Sequence, residues 1–96
     1  MMSSIIGYTF HQEVLDVEII NVVKNRILQL AYDNRLTINK MAENAGLAPS
    51  SLKSILYGNS KNPKLITIKI LCDGLGITLA EFFNTDEFNE LEQQIK

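Results

Sequence analysis

Ninety-six residues, 46 % of them apolar and 21 % charged, with a formal net charge of −2, fit one small globular unit and argue against intrinsic disorder. No apolar run approaches the roughly 18 residues of a membrane span, and Met1 to Phe10 lacks the basic start and long apolar centre of a signal peptide. A single cysteine rules out an internal disulfide framework and suits a reducing, cytoplasmic setting, and with one histidine it leaves too few soft ligands for zinc.

The apolar periodicity is helical almost throughout. Val17, Ile20, Val23, Ile27 and Leu30 form one stripe of a long helix, with Asp16 as its expected N-cap and Asn34-Arg35 as its end. Ile38, Met41, Ala42 and Ala45 repeat the i, i+3, i+4, i+7 pattern behind Thr37, a second N-cap. Gly46 follows at once, suited to a left-handed turn. Pro49 fits the first turn of a third helix with Leu52, Ile55 and Leu56 inward, ending near Tyr57-Gly58. A polar loop, Asn59 to Pro63, leads to a fourth helix carrying Ile68, Leu71, Cys72 and Leu75 and stopping at Gly76. Thr78 and Glu81 form a capping box that opens a short helix with Leu79, Phe82 and Phe83 inward. From Thr85 the chain is acidic with sparse apolar residues and reads as a short helix or a frayed end. With no period-2 pattern and short loops throughout, the expected class is a compact all-α domain of five helices.

Charge is distributed unevenly. Residues 1–34 set Lys24 and Arg26 against Glu13, Asp16, Glu18 and Asp33, and residues 66–96 set Lys69 and Lys96 against six carboxylates. Between them, Arg35, Lys40, Lys53, Lys61 and Lys64 face Glu43 alone. A basic middle segment is the electrostatic footprint of a polyanion partner, whatever the total charge. No glycine-rich phosphate loop, Ser-His-Asp or Cys-His arrangement or partnered pair of carboxylates is present, so neither an enzyme nor a cofactor is expected. Cys72, on an apolar stripe, reads as a buried structural thiol, and Phe82 and Phe83 as core.

The informative stretch runs from Ile38 to Ile55. Ala42 is small enough for a second helix to approach closely, Gly46 makes the tight turn, and Leu52 and Ile55 lock the second helix onto the first. This is the spacing of a helix-turn-helix, here at 37–57. Together with Gly58 through Pro63, Leu65, Thr67, Leu71-Cys72, Leu75 through Leu79 and Phe82-Phe83, it resembles the phage-repressor-like (XRE, or Cro-like) helix-turn-helix regulators over roughly residues 20–84. Met1 to Leu15 and the acidic tail depart from the pattern. The resemblance implies a lambda-repressor-like DNA-binding domain at 16–84, with an N-terminal extension at 1–15 and a C-terminal tail at 85–96.

It also implies a sequence-specific regulator, most simply a repressor that binds double-stranded DNA as a homodimer with helix 49–57 in the major groove. The positions that would face base edges are Ala48, Pro49, Ser50, Lys53 and Ser54, with Lys53 able to reach a guanine or a phosphate. Asn39, Lys40, Ser51, Tyr57, Asn59, Lys61, Asn62 and Lys64 would clamp phosphates, fixing register without reading sequence. Few of these side chains are bidentate, so specificity is expected from DNA shape and dimer spacing. Domains of this kind also occur as antitoxins. The alternative is therefore a protein-interaction module, with a partner bound through the tail. There Phe88, Leu91 and Ile95 form an apolar stripe that, with Ile5, Ile6, Tyr8 and Phe10, would pack on the body or on a second subunit.

Overall fold

The apolar stripe of the first helix joins a single core with residues of the helices that follow it. The computed structural model describes residues 2–58 and 62–91, with side chains from residue 18 onward. Six helices follow in order: α1 (Met2–Asp33), α2 (Ile38–Asn44), α3 (Pro49–Tyr57), α4 (Leu65–Leu75), α5 (Leu79–Phe83) and α6 (Asp86–Asn89). No strand occurs among the described residues, and no described helix is long and apolar enough to cross a membrane. The all-α fold is as the periodicity predicts, and α6 gives the start of the acidic tail a short helix behind the Thr85 N-cap.

One expectation is corrected. Helix α1 does not begin at Asp16 but runs through it from Met2. An N-cap residue permits a helix start without enforcing one, and the preceding stretch holds no proline and a single glycine, Gly7, so nothing in it stops the helix. The other end is as predicted. Asn34 Nδ2 donates to the Leu30 carbonyl at 2.7 Å, and Arg35 takes the left-handed conformation at φ 55°, letting the Leu36 amide return to the Ala31 carbonyl.

The core gathers Ile27 from α1, Met41 and Ala42 from α2, Leu52 from α3, Leu71 and Cys72 from α4 and Phe82 from α5, all essentially inaccessible. Burying each of the larger side chains contributes about 1.5–3 kcal/mol. Capping fixes where the helices begin. The Thr37 hydroxyl accepts from the Lys40 amide at 3.1 Å. The Thr78–Glu81 box is complete, with the Glu81 amide donating to Thr78 Oγ1 at 3.0 Å and the Thr78 amide to Glu81 Oε1 at 3.1 Å. Helix α4 stops at Gly76, which sits at φ 72°.

Two contacts hold the outer helices in place. The Arg26 guanidinium on α1 donates to the Phe82 carbonyl at 2.8 Å and the Glu81 carbonyl at 2.9 Å, and lies 5.8 Å from the Phe82 ring centroid. It thus satisfies otherwise orphaned carbonyls near the end of α5 and puts a cation where that helix end is negative. Phe88 of α6 stacks edge-on against Phe83 at 5.0 Å between centroids, so the first apolar residue of the tail is packed on the chain's own body. Leu91 is half-buried, while Ile95 lies outside the described residues, as do the side chains of Ile5, Ile6, Tyr8 and Phe10.

Gly74, inside α4, allows that helix to come close to the end of α2. A β-carbon there would fall 2.7 Å from the Cα and Cβ of Ala45, at the end of α2. Gly46 has the opposite character, with φ 72° and open space around it. The two glycines therefore predict different substitution profiles in urea denaturation. Gly46→Ala should cost about 1–2 kcal/mol through the left-handed backbone alone, and Gly46→Asn less, because asparagine tolerates that region. Gly74→Ala gains about 1 kcal/mol of helix propensity but should still lose stability, since overpacking costs about 1–3 kcal/mol. Gly74→Asn should be worse.

Cys72 is buried as the stripe predicts, and burial pushes its thiol above the ordinary value of 9.0, with Asp73 adding to the rise and Lys69 and Arg26 opposing it. The unfolded chain therefore releases this proton at lower pH than the folded one. Stability from the neutral buried thiol is intact below about pH 9 and declines above it. A thiol reagent should react with the native protein only as fast as it unfolds, and Cys72→Ala should flatten the alkaline fall in stability relative to the wild type.

Candidate nucleic-acid interface

The turn between α2 and α3 decides which residues of α3 reach solvent. The Ala45 and Gly46 amides return to carbonyls of α2, the Leu47 amide donates to the Ala42 carbonyl at 2.9 Å, and Ala48 in extended conformation caps α3, with Pro49 at its first position. Helix α3 then buries Leu52, Ile55 and Leu56 on one side. This leaves Ser50, Ser51, Lys53 and Ser54 exposed, Tyr57 69 % exposed and Pro49 half-buried at the entrance. Lys53 is the only charged residue of α3 and, among the described residues, it makes no ion pair.

Four of the predicted residues converge. Ser51 and Ser54 of α3, with Asn62 and Lys64 ahead of α4, line a shallow polar groove of about 240 Å³, whose far wall includes Thr67. Lys64 is exposed and occupies the N-cap of α4. Three hydroxyls, an amide and an ammonium around one opening form a donor-rich cleft suited to an anionic backbone.

The remaining predicted residues stand apart from it. Ala48 is exposed at the start of α3, and Asn39 and Lys40 are exposed on α2. Lys40 lies 3.9 Å from Glu43, and both are 61 % exposed, so the pair adds little stability and leaves the lysine available to a stronger anion. Asn59 and Lys61 lie outside the described residues.

Three contributors escaped the sequence reading. Thr67 belongs to the helix-turn-helix pattern by its spacing, and only the fold places it in the groove. Gly74 carries no apolar side chain and so drops out of the α4 stripe, although a glycine in a helix interior signals close backbone approach. The Arg26 clamp left no trace in the spacing, because its acceptors are main-chain carbonyls 55 and 56 residues away.

The helix-turn-helix has counterparts among known proteins. A family model described as a Cro/C1-type helix-turn-helix DNA-binding domain matches residues 26–87. Among solved structures, the chain is similar to the prophage Lp1 protein 11, with a TM-score of 0.66 and 35 % identity, covering 74 % of this chain and 93 % of that one. No curated protein matches.

Proposed function

Because the chain belongs to the Cro/C1-type helix-turn-helix DNA-binding family, we propose that it is a sequence-specific transcriptional regulator. In this reading it acts as a repressor, binding double-stranded DNA as a homodimer with α3 in the major groove. The DNA-binding unit is residues 16–84, flanked by extensions at 1–15 and 85–96. The observation that carries the reading is the exposed side of α3. It is polar, without a carboxylate, bears Lys53, and is projected from the body by a turn whose conformation the core dictates.

Roles follow from chemistry and position. Pro49, with no amide hydrogen, offers an apolar surface to a thymine methyl, and Ala48 offers a small one at the helix entrance. Ser50 and Ser54 each donate and accept, so each discriminates bases weakly. Lys53 contacts a guanine or a phosphate. Ser51, Tyr57, Asn62 and Lys64, with Asn59 and Lys61 of the loop, hold the DNA backbone on one side of α3, and Asn39 and Lys40 hold it on the other. Sparse direct readout leaves discrimination to groove shape and to the spacing of two half-sites about 34 Å apart.

Fluorescence anisotropy of a labelled duplex at two salt concentrations tests this. Affinity should fall steeply with salt, by a slope of about −0.9 for each phosphate neutralised. Lys64→Ala should weaken binding to every sequence alike and reduce the slope by about one unit. Lys53→Ala separates its two roles, since a uniform loss marks a phosphate contact and a loss confined to guanine-bearing sites marks a base contact. Salt-independent binding, or none at low salt, would overturn the proposal.

A further inference from the structure

The chain turns from α1 into α2 through a residue whose conformation costs energy. Arg35 sits at φ 55°, where a β-carbon crowds the following carbonyl. Glycine takes this conformation freely, and asparagine takes it more readily than arginine does. The position is fixed from both sides. The Arg35 amide donates to the Tyr32 carbonyl at 3.1 Å and the Leu36 amide to the Ala31 carbonyl at 2.9 Å, while Leu36 packs against the core. An asparagine stands one position earlier, where its side chain bonds the Leu30 carbonyl, so the left-handed position falls to a residue that strains it.

The fold makes no use of the Arg35 side chain. It is exposed and, among the described residues, makes no hydrogen bond or ion pair. The other arginine, Arg26, gives its guanidinium to main-chain carbonyls of α5. Arg35 instead lines an open groove of about 630 Å³ with Tyr32, Asp33, Leu36 and Thr37, and Tyr32 there is 84 % exposed. Arg35 is also the first of the five cations in the basic middle segment. The other four, Lys40, Lys53, Lys61 and Lys64, all have places in the proposed DNA interface.

We infer that Arg35 is a further DNA contact, its guanidinium gripping one backbone phosphate through paired N–H donors, with the Tyr32 hydroxyl as a second donor beside it. The inference rests on the DNA-binding reading, in which Asn39 and Lys40, four and five residues further on, meet the same backbone. A planar fork matches two phosphate oxygens as an ammonium cannot. Because the backbone at its root is already fixed, less freedom is lost when the contact forms. Asp33 lines the groove too and opposes an anion there. It is exposed, so water and salt screen it, and it weakens the contact without closing the site.

The strained backbone separates this role from a structural one. Replacing Arg35 by glycine relieves the conformation and removes the guanidinium in one step, so stability and DNA affinity should move in opposite directions.

Urea denaturation and fluorescence anisotropy of a labelled duplex, both on the full chain, test this. Arg35→Gly should raise the urea midpoint. It should also weaken binding about tenfold at low salt, equally for every sequence, and reduce the salt slope by about one unit. Arg35→Asn, which tolerates the left-handed backbone, should weaken binding likewise, and it decides the matter if the glycine variant fails to fold. Arg35→Lys should keep the slope but lose about threefold in affinity, since an ammonium is only a point charge. Asp33→Asn should tighten binding, more so at the lower salt. A folded Arg35→Gly protein with wild-type affinity and slope overturns the inference. A lowered urea midpoint does so too, because the side chain then serves the fold. If the wild type shows no salt-dependent binding, the DNA-binding reading itself fails. If it does, and Lys64→Ala reduces the slope while Arg35→Gly does not, this inference alone fails.

Discussion

The closeness of α2 to α4 is the constraint from which the rest of the domain follows. Because Gly74 has no β-carbon, the backbone at Ala45 comes to rest where a side chain would otherwise stand, and Ala42, itself inaccessible, lets the helices close along their length. With α2 held there, the chain has little room in which to reverse before α3. Gly46 supplies the left-handed residue that the reversal requires, and Leu52 then drops into the core. A helix-turn-helix depends on this sequence of contacts because two short helices, of seven and nine residues, have too few hydrogen bonds to hold an angle by themselves.

Rigidity at the turn matters for what α3 presents. Its inward residues are large and apolar, so the helix cannot rotate about its axis without exposing Leu52, Ile55 or Leu56. Its outward residues are three serines, Lys53 and Tyr57, and the same packing that fixes the rotation fixes which of them lead. A surface composed largely of serines recognises little by hydrogen-bond pattern alone, so its value to a DNA-binding protein lies in fit. In the proposed reading, such a helix lies in a groove of the DNA, while lysines outside it supply attraction that is indifferent to sequence.

Helix α1 and the aromatic end of the chain serve as the support for that arrangement. Arg26 links α1 to the last carbonyls of α5, and Phe82, inaccessible beneath it, brings Phe83 and Phe88 into an edge-to-face cluster that closes the side of the body. The interactions differ in kind. The arginine sets direction through hydrogen bonds, whereas the rings supply area, and neither leaves a buried polar side-chain atom unpaired among the described residues.

The sequence by itself determined the local structure. Helix periodicities, the Thr37 and Thr78 caps, Gly46 and Gly76 as helix stops and Pro49 as a helix start are all decided by a few neighbouring residues, and each is found where its spacing places it. The basic middle segment was legible for the same reason, as charge is countable along a chain. Where several local signals compete, the sequence decided less. Asp16 could cap a helix, yet α1 passes through it, because a cap acts only if the preceding residues prefer another conformation. Tertiary structure alone decided what depends on distant segments meeting. Gly74 opposite Ala45, Arg26 on the carbonyls of α5, and Ser51, Ser54, Asn62 and Lys64 around one groove are matters of helix placement, and the fold brings them together through core contacts that no spacing along the chain records.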